Sequence, residues 1–183
     1  MFTLRSSLVV LAAGAALATT TTIHAQQGAG LEPGIAAMVG SLSPDSSRTS
    51  TDWVYGVELS ANCLLFQPQQ GVLRHQLSVT RYSERPLKMT SGELNTHWMF
   101  DAGPDLKVGL GPGIGYVRAD LHNEKNNLWA FQLGGSLRYD LDQNLFLGAE
   151  ARYQWTESDR FRDGHRREDV DNFRVMAKVG VNF

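Results

Sequence analysis

The stretch VMAKVGVNF, residues 175–183, decides the fold. Counting back from Phe183 in steps of two gives Val181, Val179, Ala177, Val175 and Phe173, all apolar. Between them lie Asn182, Gly180, Lys178, Met176 and Arg174. Period-two alternation is the pattern of a strand with one apolar and one polar face. An unpaired last strand would present a row of free backbone donors and acceptors, so its edge must be covered.

The same alternation recurs upstream. Residues 145–156 (LFLGAEARYQWT) set Leu145, Leu147, Ala149, Ala151, Tyr153 and Trp155 against Gly148, Glu150, Arg152 and Gln154. Residues 128–140 set Trp129, Phe131, Leu133, Leu137 and Tyr139 against Gln132, Ser136, Arg138 and Asp140. Residues 106–118 set Leu106, Val108, Leu110, Ile114 and Tyr116 against Lys107 and four glycines. Segments 92–102, 72–82 and 53–65, with a weaker one at 34–41, complete a set of eight. QPQQ (67–70), GPD (103–105) and DQN (142–144) are tight-turn sequences. The polar stretches 42–52, 83–91, 119–127 and 157–171 are predicted as long loops at the other end. Strands of this length, joined alternately by short turns and long loops, are the layout of a transmembrane barrel. A sheet in hydrocarbon must satisfy its backbone internally, so it closes. The predicted fold is therefore all-β: an eight-stranded antiparallel up-and-down transmembrane β-barrel whose last strand pairs with its first. Pro112, inside the fifth strand, predicts a bulge and a local slip of register around Gly111–Gly113.

The residues that carry a family resemblance are the terminal Phe183 with Val181 and Val179, and the strands VGLGPGIGYV and LFLGAEARYQW. With them the chain resembles the small eight-stranded outer-membrane barrels of Gram-negative bacteria, the OmpA/OmpX/Opa-like group. The resemblance implies the cell outer membrane as location, and Phe183 as the signal read by the outer-membrane assembly machinery.

The amino terminus agrees. Arg5, an apolar run from Leu8 to Ala18 and the small-residue site Ile23-His24-Ala25 read as a cleaved signal peptide over residues 1–25. The barrel domain is then residues 26–183. Losing Arg5 leaves 16 Lys+Arg against 19 Asp+Glu, a net charge of −3, which argues against nucleic acid as a partner. The single cysteine, Cys63, excludes an internal disulfide.

Alternation alone leaves open whether the apolar face meets lipid or, as in a lipocalin-like barrel, lines the inside. Aromatic residues decide it. Trp53, Tyr55, Tyr116, Trp129, Tyr153, Trp155 and Phe173 fall by the long loops; Trp98, Phe100, Tyr139 and Phe183 fall by the short turns. Two such girdles with aliphatics between them mark a lipid-facing wall. His75 and Arg81 also fall on that wall, near the two ends of their strand. The inward face then carries Glu58, Glu93, Asp101, Asp140 and Glu150 against Arg74, Lys107, Arg138, Arg152, Arg174 and Lys178. In so narrow a space these signs must pair. Glu58, Arg74, His97, Arg138, Glu150, Arg152 and Lys178 are predicted as a structural charge network that plugs the lumen, with Glu58, Glu150, Arg152 and Lys178 at mid-height.

Catalysis is not expected. The lipid A deacylases that this chain resembles in size need a His and a Ser two apart on one strand face, and His75, His97, His122 and His165 have no such partner. GLGPGIG lacks the GxGxxG spacing of a nucleotide loop, and the histidines are not spaced as metal ligands. No cofactor is expected. The last loop, ESDRFRDGHRREDVD, offers Arg160, Arg162, Arg166 and Arg167 to lipopolysaccharide phosphates or a surface ligand. The reading is an outer-membrane protein, structural or surface-interacting, in contact with outer-membrane lipid and lipopolysaccharide. The alternatives are a lipid A-modifying barrel enzyme and an OmpW-like permeation barrel for small solutes or hydrophobic ligands.

Overall fold

The computed structural model describes residues 30–45, 51–84, 87–121, 124–157, 159–160, 167–168 and 170–183. Its strands are β1 (Gly34–Pro44), β2 (Asp52–Asn62), β3 (Val72–Glu84), β4 (Leu87–Asp101), β5 (Leu106–Leu121), β6 (Glu124–Asp140), β7 (Leu145–Thr156), β8 (Asp159–Arg160), β9 (Arg167–Glu168) and β10 (Asn172–Asn182). β1 to β7 and β10 form a closed barrel, with β10 paired to β1; β8 and β9 pair only with each other. Every ladder is antiparallel. The stretch that opened the argument thus has neighbours on both edges: Val179 lies opposite Ala37 of β1 and Leu147 of β7. Residues 1–25, predicted as a signal peptide, lie outside the described residues.

Strand tilt follows from the pairing. A path along paired residues from Gly34 runs through Ser60, Gln76, Asn95, Gly113, Gln132, Gln154 and Asn172 and returns to β1 at Pro44. The path has climbed almost the whole length of the strand, so the strands lean around the barrel and paired residues are not level. Pro112 does not shift this register. Pairing on β4 is in phase on both sides, at Asn95 with Gly113 and at Trp98 with Leu110, and Pro112 stays opposite Leu133 of β6. The predicted slip is absent; a short gap in the β4–β5 ladder at Thr96 and His97 replaces it, because proline has no backbone hydrogen to donate.

Two of the predicted long loops are strand. β3 runs to Glu84 and β4 begins at Leu87; β5 runs to Leu121 and β6 begins at Glu124. Their hairpins project beyond the outer girdle, and the two faces of the sheet exchange character there. Lower down, Leu94, Ile114 and Phe131 are exposed on the outer wall while Glu93 and Gln132 are buried inside. Higher on the same strands Leu87, Met89, Val117 and Leu128 are buried, and Lys88, Thr90, Arg118 and Asn127 are exposed. Lipid demands an apolar outside, whereas water demands a polar one, so the exchange marks the bilayer surface. At the other end β2 stops at Asn62, short of the predicted residue 65. The turn from Cys63 to Gly71 exposes Leu64, Leu65 and Phe66, and Gly71 takes a positive φ of 76° as the chain reverses.

Candidate functional site

Inside the barrel six charged side chains form one line of alternating sign. Lys178 Nζ donates to Glu58 and, at 2.6 Å, to Glu150. Arg152 reaches Glu150 at 2.5 Å and Glu93 at 3.1 Å. Arg174 grips Glu93 through both terminal nitrogens, one of them at 2.6 Å. The sequence Glu58, Lys178, Glu150, Arg152, Glu93, Arg174 therefore climbs the lumen with three acids and three bases, all buried. Neutral groups add further hydrogen bonds at the terminal nitrogens: Arg152 gives one to Gln76 at 3.3 Å, and Arg174 gives one to Gln132 at 3.1 Å and one to Thr80 at 3.3 Å. Isolated charges in this space would be costly; a line balanced in sign is tolerated, even with the Nε–H groups of Arg152 and Arg174 left without an acceptor among the described residues.

Glycines make room for it. A Cβ on Gly134 would stand 2.7 Å from Cγ of Arg152, and one on Gly115 would stand 3.2 Å from Cγ of Glu93. This is why β5 and β6 carry glycine on their inner faces opposite long side chains.

Four of the seven predicted network residues, Glu58, Glu150, Arg152 and Lys178, lie in this line. The other three do not. Arg74 sits at the lower mouth, giving hydrogen bonds to Asn62 at 2.8 Å and Ser60 at 2.9 Å. Arg138 pairs with Asp140 at 2.7 Å and lies 4.0 Å above the Phe146 ring. These two arginines line a mouth cavity of about 50 Å³ together with Lys107, Asp101 and Glu32. His97 is buried beside the line, its Nδ1 2.8 Å from Ser136 Oγ, with no carboxylate on either ring nitrogen among the described residues. Glu93 and Arg174 complete the line instead. Strand parity had placed both inward, but parity carries no signal of the strand tilt that brings them together.

Above the line the lumen is closed by a cluster in which Leu42, Val54, Leu87, Met89, Val117 and Leu128 meet. The predicted all-polar interior is thus confined to the membrane-spanning part. At the outer end of β2 and β3, a hydrogen bond with Asp52 holds the Glu84 carboxyl above its ordinary range. At the opposite end, backbone N–H groups of Asn144 and Leu145, both 2.7 Å from Asp142 Oδ1, hold that carboxyl below its ordinary range.

Of the loop arginines, Arg162 and Arg166 lie outside the described residues, and Arg160 and Arg167 pair through their backbones across β8 and β9. Phe183 is exposed at the lower rim, its N–H donated to the Pro33 carbonyl at 3.0 Å. One juxtaposition escaped the sequence reading. His75 Nδ1 lies 2.9 Å from Thr96 Oγ1 on the outer wall, across adjacent strands. The imidazole borders an apolar groove of about 270 Å³ lined by Leu59, Leu77, Leu94 and Phe183. No group of three or more His, Cys, Asp or Glu is arranged to hold a metal among the described residues.

No protein-family model matches the chain, and no curated protein matches it in sequence. Solved structures do match in shape. Neisserial surface protein A (NspA) is 21% identical, with 82% of this chain covering 97% of that one at a TM-score of 0.57. Ail, the attachment invasion locus protein of Yersinia pestis, is 14% identical over 85% of this chain and 100% of its own, at 0.55. The outer membrane enzyme PagL is 14% identical over 82% of this chain and 99% of its own, at 0.52. The chain has the fold of the small eight-stranded outer-membrane β-barrels.

Proposed function

We propose that this chain is an integral outer-membrane protein of a Gram-negative cell, a closed and non-conducting scaffold whose outward-projecting hairpins and loops make its contacts. The observation that supports it best is the exchange of inside and outside on single strands. Over the lower part of β4 to β6 the wall is apolar and the interior ionic; beyond the outer girdle the wall is polar and the interior apolar. A soluble barrel needs only the second arrangement and a wide channel needs neither plug, so a sealed membrane strut accounts for both. On this reading the ion line stabilises the scaffold, and Phe183 is the residue the assembly machinery recognises. Lipid of the outer membrane, lipopolysaccharide included, is the expected surround.

The test pairs location with silence. Cell fractionation should recover the protein with the outer membrane, its gel mobility should change on heating, and planar bilayers should record no steady conductance. Recovery in soluble periplasmic extract would sink the membrane reading. Steady single-channel steps would favour a permeation barrel instead.

A second reading draws on the His75–Thr96 pair, because a base beside a hydroxyl next to an acyl-sized groove is the form of a lipid-modifying enzyme. Against it, no described carboxylate orients the imidazole. Lipid A incubated with the wild-type protein and with His75→Ala should show the same mass spectrum. A mass change made only by the wild type would establish the enzyme.

A further inference from the structure

The outer aromatic girdle has a gap. Around the barrel it is carried by Trp53 and Tyr55 on β2, Tyr116 on β5, Trp129 and Phe131 on β6, Tyr153 and Trp155 on β7 and Phe173 on β10. β1, β3 and β4 contribute no aromatic residue to the wall at that height, and the adjacent pair β3 and β4 leaves the wider opening. The pairing places Arg81 beside Tyr55, Thr90 beside Arg81, and Arg118 beside Thr90. The row beneath is Val79, Gly92 and Tyr116. Arg81, Lys88, Thr90, Gly92 and Arg118 are all exposed on the outer wall.

We propose that this gap binds the phosphorylated headgroup of an outer-leaflet glycolipid, with Arg81 and Arg118 as its two clamps and the Thr90 hydroxyl between them. Four features of the site support the assignment. The two arginines stand two strands apart, about 10 Å between backbones, a span from which two long side chains converge on one phosphate. Neither has an ion-pair partner among the described residues, whereas the cations of the lumen line are all paired with acids. A Cβ on Gly92 would meet nothing within 4 Å, so a notch lies open just below the cations, on the side where acyl chains run. Finally, the exchange of faces between Tyr116 and Arg118 puts the cations at the bilayer surface, where an arginine on the wall costs far less than at the midplane and phosphate is at hand. Lys88, one step farther out, lies opposite Asp120 and plays the lesser part.

This proposal rests on the outer-membrane reading, and its test separates the two. The mature chain is folded into phosphatidylcholine vesicles doped with lipid A, either phosphorylated or enzymatically dephosphorylated, and retained lipid is counted by native mass spectrometry after detergent release. Phosphorylated lipid A should be retained and the dephosphorylated form lost. Arg81→Gln and Arg118→Gln should each weaken retention about tenfold, the size expected for losing one charged hydrogen-bonding partner. Lys107→Gln, the same charge change at the opposite mouth, should leave retention unaltered. Equal retention of both lipid forms, equal binding by an Arg81→Gln/Arg118→Gln protein that still shows heat-modifiable migration, or displacement of the lipid by millimolar inorganic phosphate would each overturn the site. If the wild-type chain folds into no vesicle of any composition, the outer-membrane reading itself fails.

Discussion

Glu93 is the residue whose loss the lumen should tolerate least. Its carboxylate holds Arg152 at 3.1 Å and Arg174 at 2.6 Å. Glu93→Gln leaves three buried cations facing two anions. The burden falls unequally: Arg152 keeps Glu150 at 2.5 Å, but Arg174 is left with neutral acceptors only, Gln132 at 3.1 Å and Thr80 at 3.3 Å. One uncompensated buried guanidinium costs about 3–5 kcal/mol. Removing the end of the line as a pair is different. In Glu93→Met/Arg174→Met the remaining Glu58, Lys178, Glu150 and Arg152 are two acids and two bases in register. That variant should lie within about 1 kcal/mol of wild type, since an apolar pair of similar volume often replaces a buried ion pair without loss. Glu58→Gln should fall between, because Lys178 retains Glu150 at 2.6 Å. The assay is reversible urea unfolding of the protein folded in phosphatidylcholine vesicles, followed by tryptophan fluorescence. A Glu93→Gln variant less than about 1 kcal/mol below wild type, or a double variant as unstable as that single one, would refute a closed and balanced line.

The remaining predictions probe the two faces and the rim. Leu128→Ala, inside the outer cluster, should cost about 2–5 kcal/mol in the same titration, while Leu133→Ala on the lipid wall leaves no internal cavity and should cost clearly less; equal costs would mean the faces are assigned wrongly. The Glu84 carboxyl is raised from 4.5 by its bond with Asp52, so the folded state holds that proton more tightly than the unfolded. The stability it adds is complete below 4.5 and is lost as pH rises through the folded value. Amide exchange around Val54 and Tyr82 should accordingly be slower in acid than at neutral pH once intrinsic rates are divided out. Glu84→Gln, which keeps a hydrogen-bond donor for Asp52 at every pH, should abolish the difference.

Eight strands were legible because the lipid wall enforces a period of two, and any segment with Leu145, Leu147 and Ala149 on one side and Glu150 and Arg152 on the other declares itself. The projecting hairpins were hidden by the same logic. Past Tyr116 the period continues through Val117, Arg118, Ala119 and Asp120, but the apolar residues have moved to the opposite parity. A count kept on the lipid face therefore runs out, and 119–127 reads as a polar loop. The site was half legible. Parity alone turns Glu93 and Arg174 inward. Their meeting, across 81 positions of sequence and between strands that are not neighbours, depends on strand tilt, which emerges only once all eight registers are set. The Pro112 expectation failed for a related reason: partners on both sides in a closed barrel hold a strand in phase even where one ladder bond is missing.

Plug and ion line are better understood together than apart. Charged groups by themselves do not keep water out, because each is a site for hydration, and a hydrated line would gain little from its pairings. Apolar side chains by themselves would give the membrane-spanning lumen no reason to select one register, since a greasy interior packs in many ways. Here the cluster around Val54, Val117 and Leu128 shuts the outer end, and the line from Arg174 down to Glu58 lies beneath it in a drier, lower-dielectric space. The lower mouth, by contrast, is open enough for a cavity ringed by Arg74, Arg138 and Lys107. The turn side is therefore the end from which water can approach the line. The barrel is a cup closed at its long-hairpin end, so on the outer-membrane reading proposed above its contacts at that end are made by its wall and its rim.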